Sequence, residues 1–175
     1  MLRILNKIQR IGIVTESLPK IEEPALGEVG AQLKEKIGEL FGGSLAIREV
    51  DAGSCNGCEL EIQALNNPYY GIERFGVHFV ASPRHADMLL VTGPVSRHME
   101  AALRRTYDAT PEPKLVIAVG ECGANGGEFG VSYASCGAVS NVIPVDAVIR
   151  GCPPTPLDLV HGILEAIGKH STRTG

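Results

Sequence analysis

Apolar residues recur at three- and four-residue spacing from Leu26 through Val29, Leu33 and Ile37 to Leu40, which predicts a helix over 25–41, ended by Gly42-Gly43. The pattern then changes to short apolar runs. A strand is predicted over 44–50, followed by a turn over 51–58 and a helix to about 66. Strands follow at 77–81 and 87–91. Ser96 is placed to cap a helix that reaches about 108. Residues 115–119 form another strand, 120–140 a glycine-rich stretch that is mostly loop with one short helical piece, and 143–149 a further strand. Pro156 can begin the last helix, with Thr155 as its cap, running to about 168. Met88-Leu-Leu-Val91 and Leu115-Val-Ile-Ala-Val119 are apolar on both faces, as in a buried parallel sheet. Alternation of such strands with helices predicts an open α/β sheet with helices on both faces.

Residues 1–24 stand apart from this pattern. Arg3, Lys7, Arg10 and Lys20 outnumber the single acid among the first twenty residues, Glu16, although the whole chain carries a net charge of −4. Ile11, Ile13, Val14 and Leu18 would be costly to leave exposed together, so this arm is expected to contact a partner or a membrane surface. The remainder, 25–175, is expected to be one domain, since 175 residues leave little room for a second.

Composition narrows the function. A pI of about 5.7 argues against a dedicated nucleic-acid binder, which shows a basic face. No apolar run approaches the roughly 18 residues of a membrane-spanning helix. Lys7 and Arg10 interrupt any apolar core of a signal peptide. Membrane association is therefore expected to be peripheral, and the five cysteines are not expected to form a disulfide framework.

Four of those cysteines follow predicted strands. Cys55 and Cys58 lie in Asp51-Ala-Gly-Ser-Cys55-Asn-Gly-Cys58, Cys122 follows the strand at 115–119, and Cys152 follows the strand at 143–149. Loops after parallel strands emerge at one sheet edge, where open α/β sheets bind ligands. Four thiolates there select an iron–sulfur cluster or zinc. Three features favour iron–sulfur. Only one Cys-x-x-Cys pair exists, whereas structural zinc sites commonly use two. Cys152 precedes Pro153, a step that recurs at cluster ligands. Glycine lies beside every candidate (Gly53, Gly57, Gly120, Gly123, Gly151), allowing backbone to approach a bulky cluster. The rivals are a zinc-stabilised interaction module and a thioredoxin-like dithiol at Cys55 and Cys58, which leaves Cys122 and Cys152 unexplained. Cys136 reads as a buried small residue, or as an alternate ligand to Cys122.

These segments, together with Ser82 through Pro94, Gly120-Glu-Cys-Gly123 and Val145 through Pro156, resemble the 20 kDa (B) subunit of respiratory complex I and the small subunits of energy-converting, membrane-bound [NiFe] hydrogenases. The similarity runs from about Ile11 to Gly168. It implies a flavodoxin-like fold and one [4Fe–4S] cluster held by Cys55, Cys58, Cys122 and Cys152. The complex I subunit typically has adjacent cysteines at the first motif; the two-residue gap here is similar to the hydrogenase branch. The resemblance implies an electron-transfer subunit with no catalytic site of its own, in a complex of the formate hydrogenlyase type or, alternatively, of the NADH-quinone oxidoreductase type. Implied partners are a large catalytic subunit related to that of [NiFe] hydrogenases and the 49 kDa subunit of complex I, a ferredoxin-like iron–sulfur subunit, and membrane subunits on whose cytoplasmic side the chain would lie.

Glu59, directly after Cys58, reads either as a first-turn carboxylate favoured by the helix dipole or as a proton carrier at a subunit interface. Arg84 reads as a neutraliser of cluster charge, an interface ion-pair partner or a plain surface residue, with His85 beside it. Glu121 is expected to point away from the cluster, and Asp87 to cap or end a strand. The histidines show no metal-binding spacing.

Overall fold

A computed structural model describes residues 2–11 and 24–174. Five strands form one all-parallel sheet: β1 (Leu45–Asp51), β2 (Val77–Phe79), β3 (Met88–Thr92), β4 (Leu115–Val119) and β5 (Ala147–Ile149). Their spatial order is β2-β1-β3-β4-β5, which is the flavodoxin-like order. The class read from the apolar runs therefore holds.

Period-two alternation sorts the side chains into two cores. Met88 and Leu90 of β3, with Leu115, Ile117 and Val119 of β4, face one side. There they meet Leu33 and Ile37 of α2 (Pro24–Phe41), Ile62 of α3 (Gly57–Ala64), and Leu159 and Ile163 of α6 (Pro156–Thr174). Leu89, Val91, Val116 and Ala118 face the other side, against Leu103 of α4 (Arg97–Ala109) and against Val139, Val142 and Ile143. All five residues of β3 and all five of β4 are buried, which explains why both run apolar without interruption.

Two aspartates set the strand starts. The N–H of Ala46 donates to Asp87 Oδ2 at 2.9 Å just before β3, and the N–H of Val116 donates to Asp146 Oδ2 at 2.9 Å just before β5. Asp87 thus serves the strand boundary expected of it. The strand expected over 143–149 is shortened to Ala147–Ile149. Pro144 has no N–H to give a ladder, and Val142 and Ile143 are drawn into the second core after a 3-10 turn, Val139–Asn141.

Ser96 caps α4 as expected, its Oγ accepting from the N–H of Met99 at 3.3 Å. Thr155 and Asp158 cap α6 reciprocally: Asp158 N–H donates to Thr155 Oγ1 at 3.2 Å, and Thr155 N–H to Asp158 Oδ2 at 3.0 Å. Gly168 does not end α6, which runs on to Thr174.

Ahead of this domain lies α1 (Leu2–Ile11), a helix within the arm expected at 1–24. Ile13, Val14 and Leu18, on which that expectation also drew, lie outside the described residues. No described helix is long and apolar enough to cross a membrane.

Candidate metal centre

The carboxyl ends of β1, β3, β4 and β5 deliver four loops to one edge of the sheet. The first is an Asx turn. Asp51 Oδ1 accepts the N–H of Gly53 and of Ser54, each at 2.8 Å, and Ser54 Oγ accepts that of Asn56 at 3.1 Å. Asn56 adopts the left-handed conformation (φ 71°) and turns the chain into α3, placing Cys58 in the helix's first turn and Cys55 ahead of it. Gly93, at the end of β3, sits where a Cβ would lie 2.6 Å from the Ser54 nitrogen, so its missing side chain is what lets this turn settle on the sheet.

Burial raises the Asp51 carboxyl, but the N–H groups of Ser54 and Gly53 outweigh it, and its pKa ends below the ordinary value of 3.8. A folded pKa below the unfolded one stabilises above the unfolded value and fades as pH falls through the folded one. Asp51→Ala is therefore expected to cost about 1 kcal/mol at neutral pH, with the difference from wild type shrinking in acid. Denaturant midpoints across pH check this; a pH-independent difference would mean that the carboxylate charge plays no part.

Cys122 lies in α5 (Gly120–Asn125), which begins directly after the last residue of β4, Val119. The N–H of Glu121 donates to the carbonyl of Gly151 at 3.0 Å and ties this helix to the loop of Cys152. Arg150 adds an ion pair with Glu121 at 3.0 Å, and Asn125 Nδ2 donates to the same carboxylate oxygen at 3.2 Å. Glu121 is thus held by Arg150 and Asn125, a clamp between two cysteine loops that spacing alone did not disclose.

Cys55, Cys58, Cys122 and Cys152 together line a cavity of about 90 Å³; Gly57, Gly151 and Pro153 contribute to its wall, and so does Glu121, which was expected to point away. Cys55 and Cys152 are exposed, while Cys58 and Cys122 are half-buried. Burial first, then the neighbouring Glu59 and the other three cysteines, pushes the Cys58 thiol up to about 12. Burial and the charges of Cys152 and Cys55 also raise Cys122. Two glycines make room for these sulfurs. A Cβ on Gly120 would lie 2.8 Å from Cys58 Sγ, and one on Gly127 would lie 2.7 Å from Cys122 Sγ. The donor set is soft sulfur, arranged around a space. Among the described residues no three His, Cys, Asp or Glu side chains are gathered as a single metal ion requires. By its chemistry, a set of four cysteine sulfurs fits an iron–sulfur cluster or zinc.

Cys136 is elsewhere. It is buried in the second core, and its Sγ donates to Glu100 Oε2 at 3.3 Å. Its reading as a buried small residue holds, and its role as an alternate to Cys122 falls away. Arg84 and His85 occupy a 3-10 turn, Pro83–His85, at the amino end of β3, beside Leu40, Phe41 and Glu112. The sheet separates them from the cysteines, so Arg84 does not neutralise charge there.

Glu59 is 5% exposed, and neither carboxylate oxygen has a hydrogen-bond partner among the described residues. It faces Glu49 of β1, whose pKa is raised by burial and then by Glu59. Buried Glu59 and half-buried Glu49 thus lie close enough for one carboxylate to act on the other. The Glu49 half of this pair was not visible in the sequence, because the two residues belong to different elements, β1 and α3.

The domain is thus an α/β sheet that gathers cysteines from three strand-end loops at one edge. The chain belongs to the family of the NADH ubiquinone oxidoreductase 20 Kd subunit, which matches residues 55–166, a span holding all four cavity cysteines. It is 44% identical over 141 residues to the probable membrane-bound hydrogenase subunit mbhJ of Pyrococcus furiosus, covering 79% of this chain and 84% of that protein. It is 41% identical over 151 residues to formate hydrogenlyase subunit 7 of Escherichia coli, covering 86% of this chain and 58% of that one. Its fold is similar to a chain of the membrane-bound sulfane sulfur reductase, an archaeal respiratory membrane complex, with a TM-score of 0.62 and 33% identity over 82% of this chain and 76% of that chain. The chain therefore stands among subunits of oxidoreductase complexes.

Proposed function

We propose that this chain is the electron-transfer subunit of a membrane-associated oxidoreductase of the energy-converting hydrogenase, formate hydrogenlyase-like type, and that Cys55, Cys58, Cys122 and Cys152 hold one [4Fe–4S] cluster. The observation that carries this reading is the cavity itself, where cysteines far apart in sequence meet. The relatives named as hydrogenase and formate hydrogenlyase subunits support the complex type. The Cys55-x-x-Cys58 gap favours that branch over a B subunit of an NADH-quinone oxidoreductase.

When bound, such a cluster supplies one-electron transfer. The chain supplies four thiolates, so loading must strip the protons that burial holds on Cys58 and Cys122. It also supplies a water-poor floor, because Cys58 packs against the first core. The mouth is left to a partner: Cys55 and Cys152 are exposed, and Phe129, 63% exposed, lines a groove with Gly53 and Pro94 beside the first cysteine turn. We assign this rim to a large catalytic subunit of the [NiFe]-hydrogenase and 49 kDa kind. A ferredoxin-like subunit would exchange electrons, and membrane subunits would hold the assembly on the cytoplasmic face. A zinc-stabilised interaction module is disfavoured because only one Cys-x-x-Cys pair is present and Cys152 precedes a proline.

The test is anaerobic purification with assays for iron and acid-labile sulfide, and EPR of the reduced protein. One [4Fe–4S] equivalent per chain with a reduced-cluster signal is expected. A colourless protein holding one zinc, even after anaerobic reconstitution, would return the zinc module.

Glu59 enters this reading as a proton-transfer residue at the interface. Glu59→Gln is expected to lower turnover of the assembled complex about tenfold or more, with iron content and the EPR signal unchanged. Glu59→Leu, which removes two unpartnered buried oxygens, is expected to raise stability by about 1–3 kcal/mol. Unaltered turnover in both variants would reduce Glu59 to a first-turn carboxylate.

A further inference from the structure

Helix α1 carries two stripes. Ile4, Leu5, Ile8 and Ile11, spaced to fall on one helical face, are 65%, 60%, 61% and 51% exposed. Arg3, Lys7 and Arg10 follow a parallel row at four- and three-residue spacing along one border of that face, and the helix contains no acidic residue. The cations belong to a chain whose net charge is −4, so positive charge is concentrated where the apolar face is bare.

We propose that α1 lies flat on an anionic lipid bilayer, its isoleucines in the acyl boundary and its cations at the headgroup phosphates. The inference takes its setting from the peripheral membrane position proposed above and adds the element and the lipid chemistry; it does not depend on the cluster. Three observations choose a bilayer over a protein groove. A bilayer boundary accepts an apolar stripe and the flanking cations in a single geometry, because long basic side chains reach up to the headgroups while their stems stay buried. A protein groove would have to desolvate those cations or pair each with an acid, and Lys is depleted from interface cores. No described helix can cross a membrane, so direct attachment through the described part of this chain is attachment to a surface.

The experiment is flotation of the full chain with vesicles of phosphatidylglycerol and phosphatidylcholine, against vesicles of phosphatidylcholine alone, at low and high salt. The chain is expected to float with the anionic vesicles and to be released by salt. Neutralising Arg3, Lys7 and Arg10 to Gln is expected to weaken binding about fivefold per cation removed. Ile4→Glu with Ile8→Glu is expected to abolish it. Iron content and the thermal midpoint are followed in every variant, so loss of the cluster or of the fold is read separately from loss of lipid binding. Three results would overturn the inference. One is no flotation of the wild-type chain; another is equal flotation with neutral vesicles, insensitive to the cations. The third is a chain that ignores vesicles but loses its partner subunits when Ile4 and Ile8 are changed, which would make α1 a protein-docking helix.

Discussion

Cys152→Ser is expected to leave the protein folded and to strip it of most of its iron. Serine is nearly isosteric, but its hydroxyl is a hard, weakly acidic donor where a cluster requires thiolate. No other soft donor stands ready to replace it: Glu121 at the cavity wall is a hard carboxylate engaged by Arg150 and Asn125, and Cys136 is committed to Glu100 in the second core. Cys152 is exposed on a loop after an edge strand, so the fold loses little core packing with it. The thermal midpoint of the cluster-free protein should move by no more than that of a surface substitution, within about 0.5 kcal/mol. The same loss is expected for Cys55→Ser, Cys58→Ser and Cys122→Ser, while Cys136→Ala should keep a full complement of iron. Iron and sulfide assays with EPR on the five variants decide the matter. Full iron in Cys152→Ser, or its loss in Cys136→Ala, would break the assignment of ligands. Retention of thiol oxidoreductase activity by Cys122→Ser and Cys152→Ser would instead favour the dithiol reading of Cys55 and Cys58.

Gly120→Ala is expected to damage the site more than the fold. Gly120 has φ +78°, a region that costs an L-residue of order 1–2 kcal/mol. Its Cβ would also press on Cys58 Sγ at 2.8 Å and approach the Gly151 carbonyl at 3.4 Å, so the substitution touches two of the cysteine loops at once. The structure has two ways to yield. Cys58 can rotate its sulfur out of the cavity, sparing the backbone and forfeiting a ligand. Alternatively the loop from β4 into α5 can shift, carrying Cys122 with it and straining the bond from Glu121 N–H to Gly151. Either route spoils the arrangement of four sulfurs, so iron retention should fall severalfold while stability falls by about 1–3 kcal/mol. A protein that keeps its full iron and its wild-type EPR spectrum would show that this glycine serves only the turn.

The sequence alone was enough for the sheet and for the four cysteines. Both follow from local rules: strands buried on both faces must be apolar throughout, as 115–119 is, and loops after parallel strands must share an edge, so Cys55, Cys58, Cys122 and Cys152 had to face one another. The caps at Ser96 and Thr155 were equally legible, because a hydroxyl ahead of an apolar helix acts within one turn of chain. Other features depended on distance in sequence. Arg84 follows Pro83 in a motif that resembles the family's, yet it sits at the amino end of β3, because strand direction rather than motif membership decides which edge a residue reaches. The strand expected from 143 contracted to Ala147–Ile149 once Val142 and Ile143 found a core to fill. The clamp of Arg150 on Glu121, the pairing of Glu49 with Glu59 and the bond of Cys136 to Glu100 each join residues from different elements. Such pairs are set by how helices seat on the sheet. Hydrophobic periodicity fixes which face of an element is buried, but only the packed structure decides which polar groups that burial traps side by side.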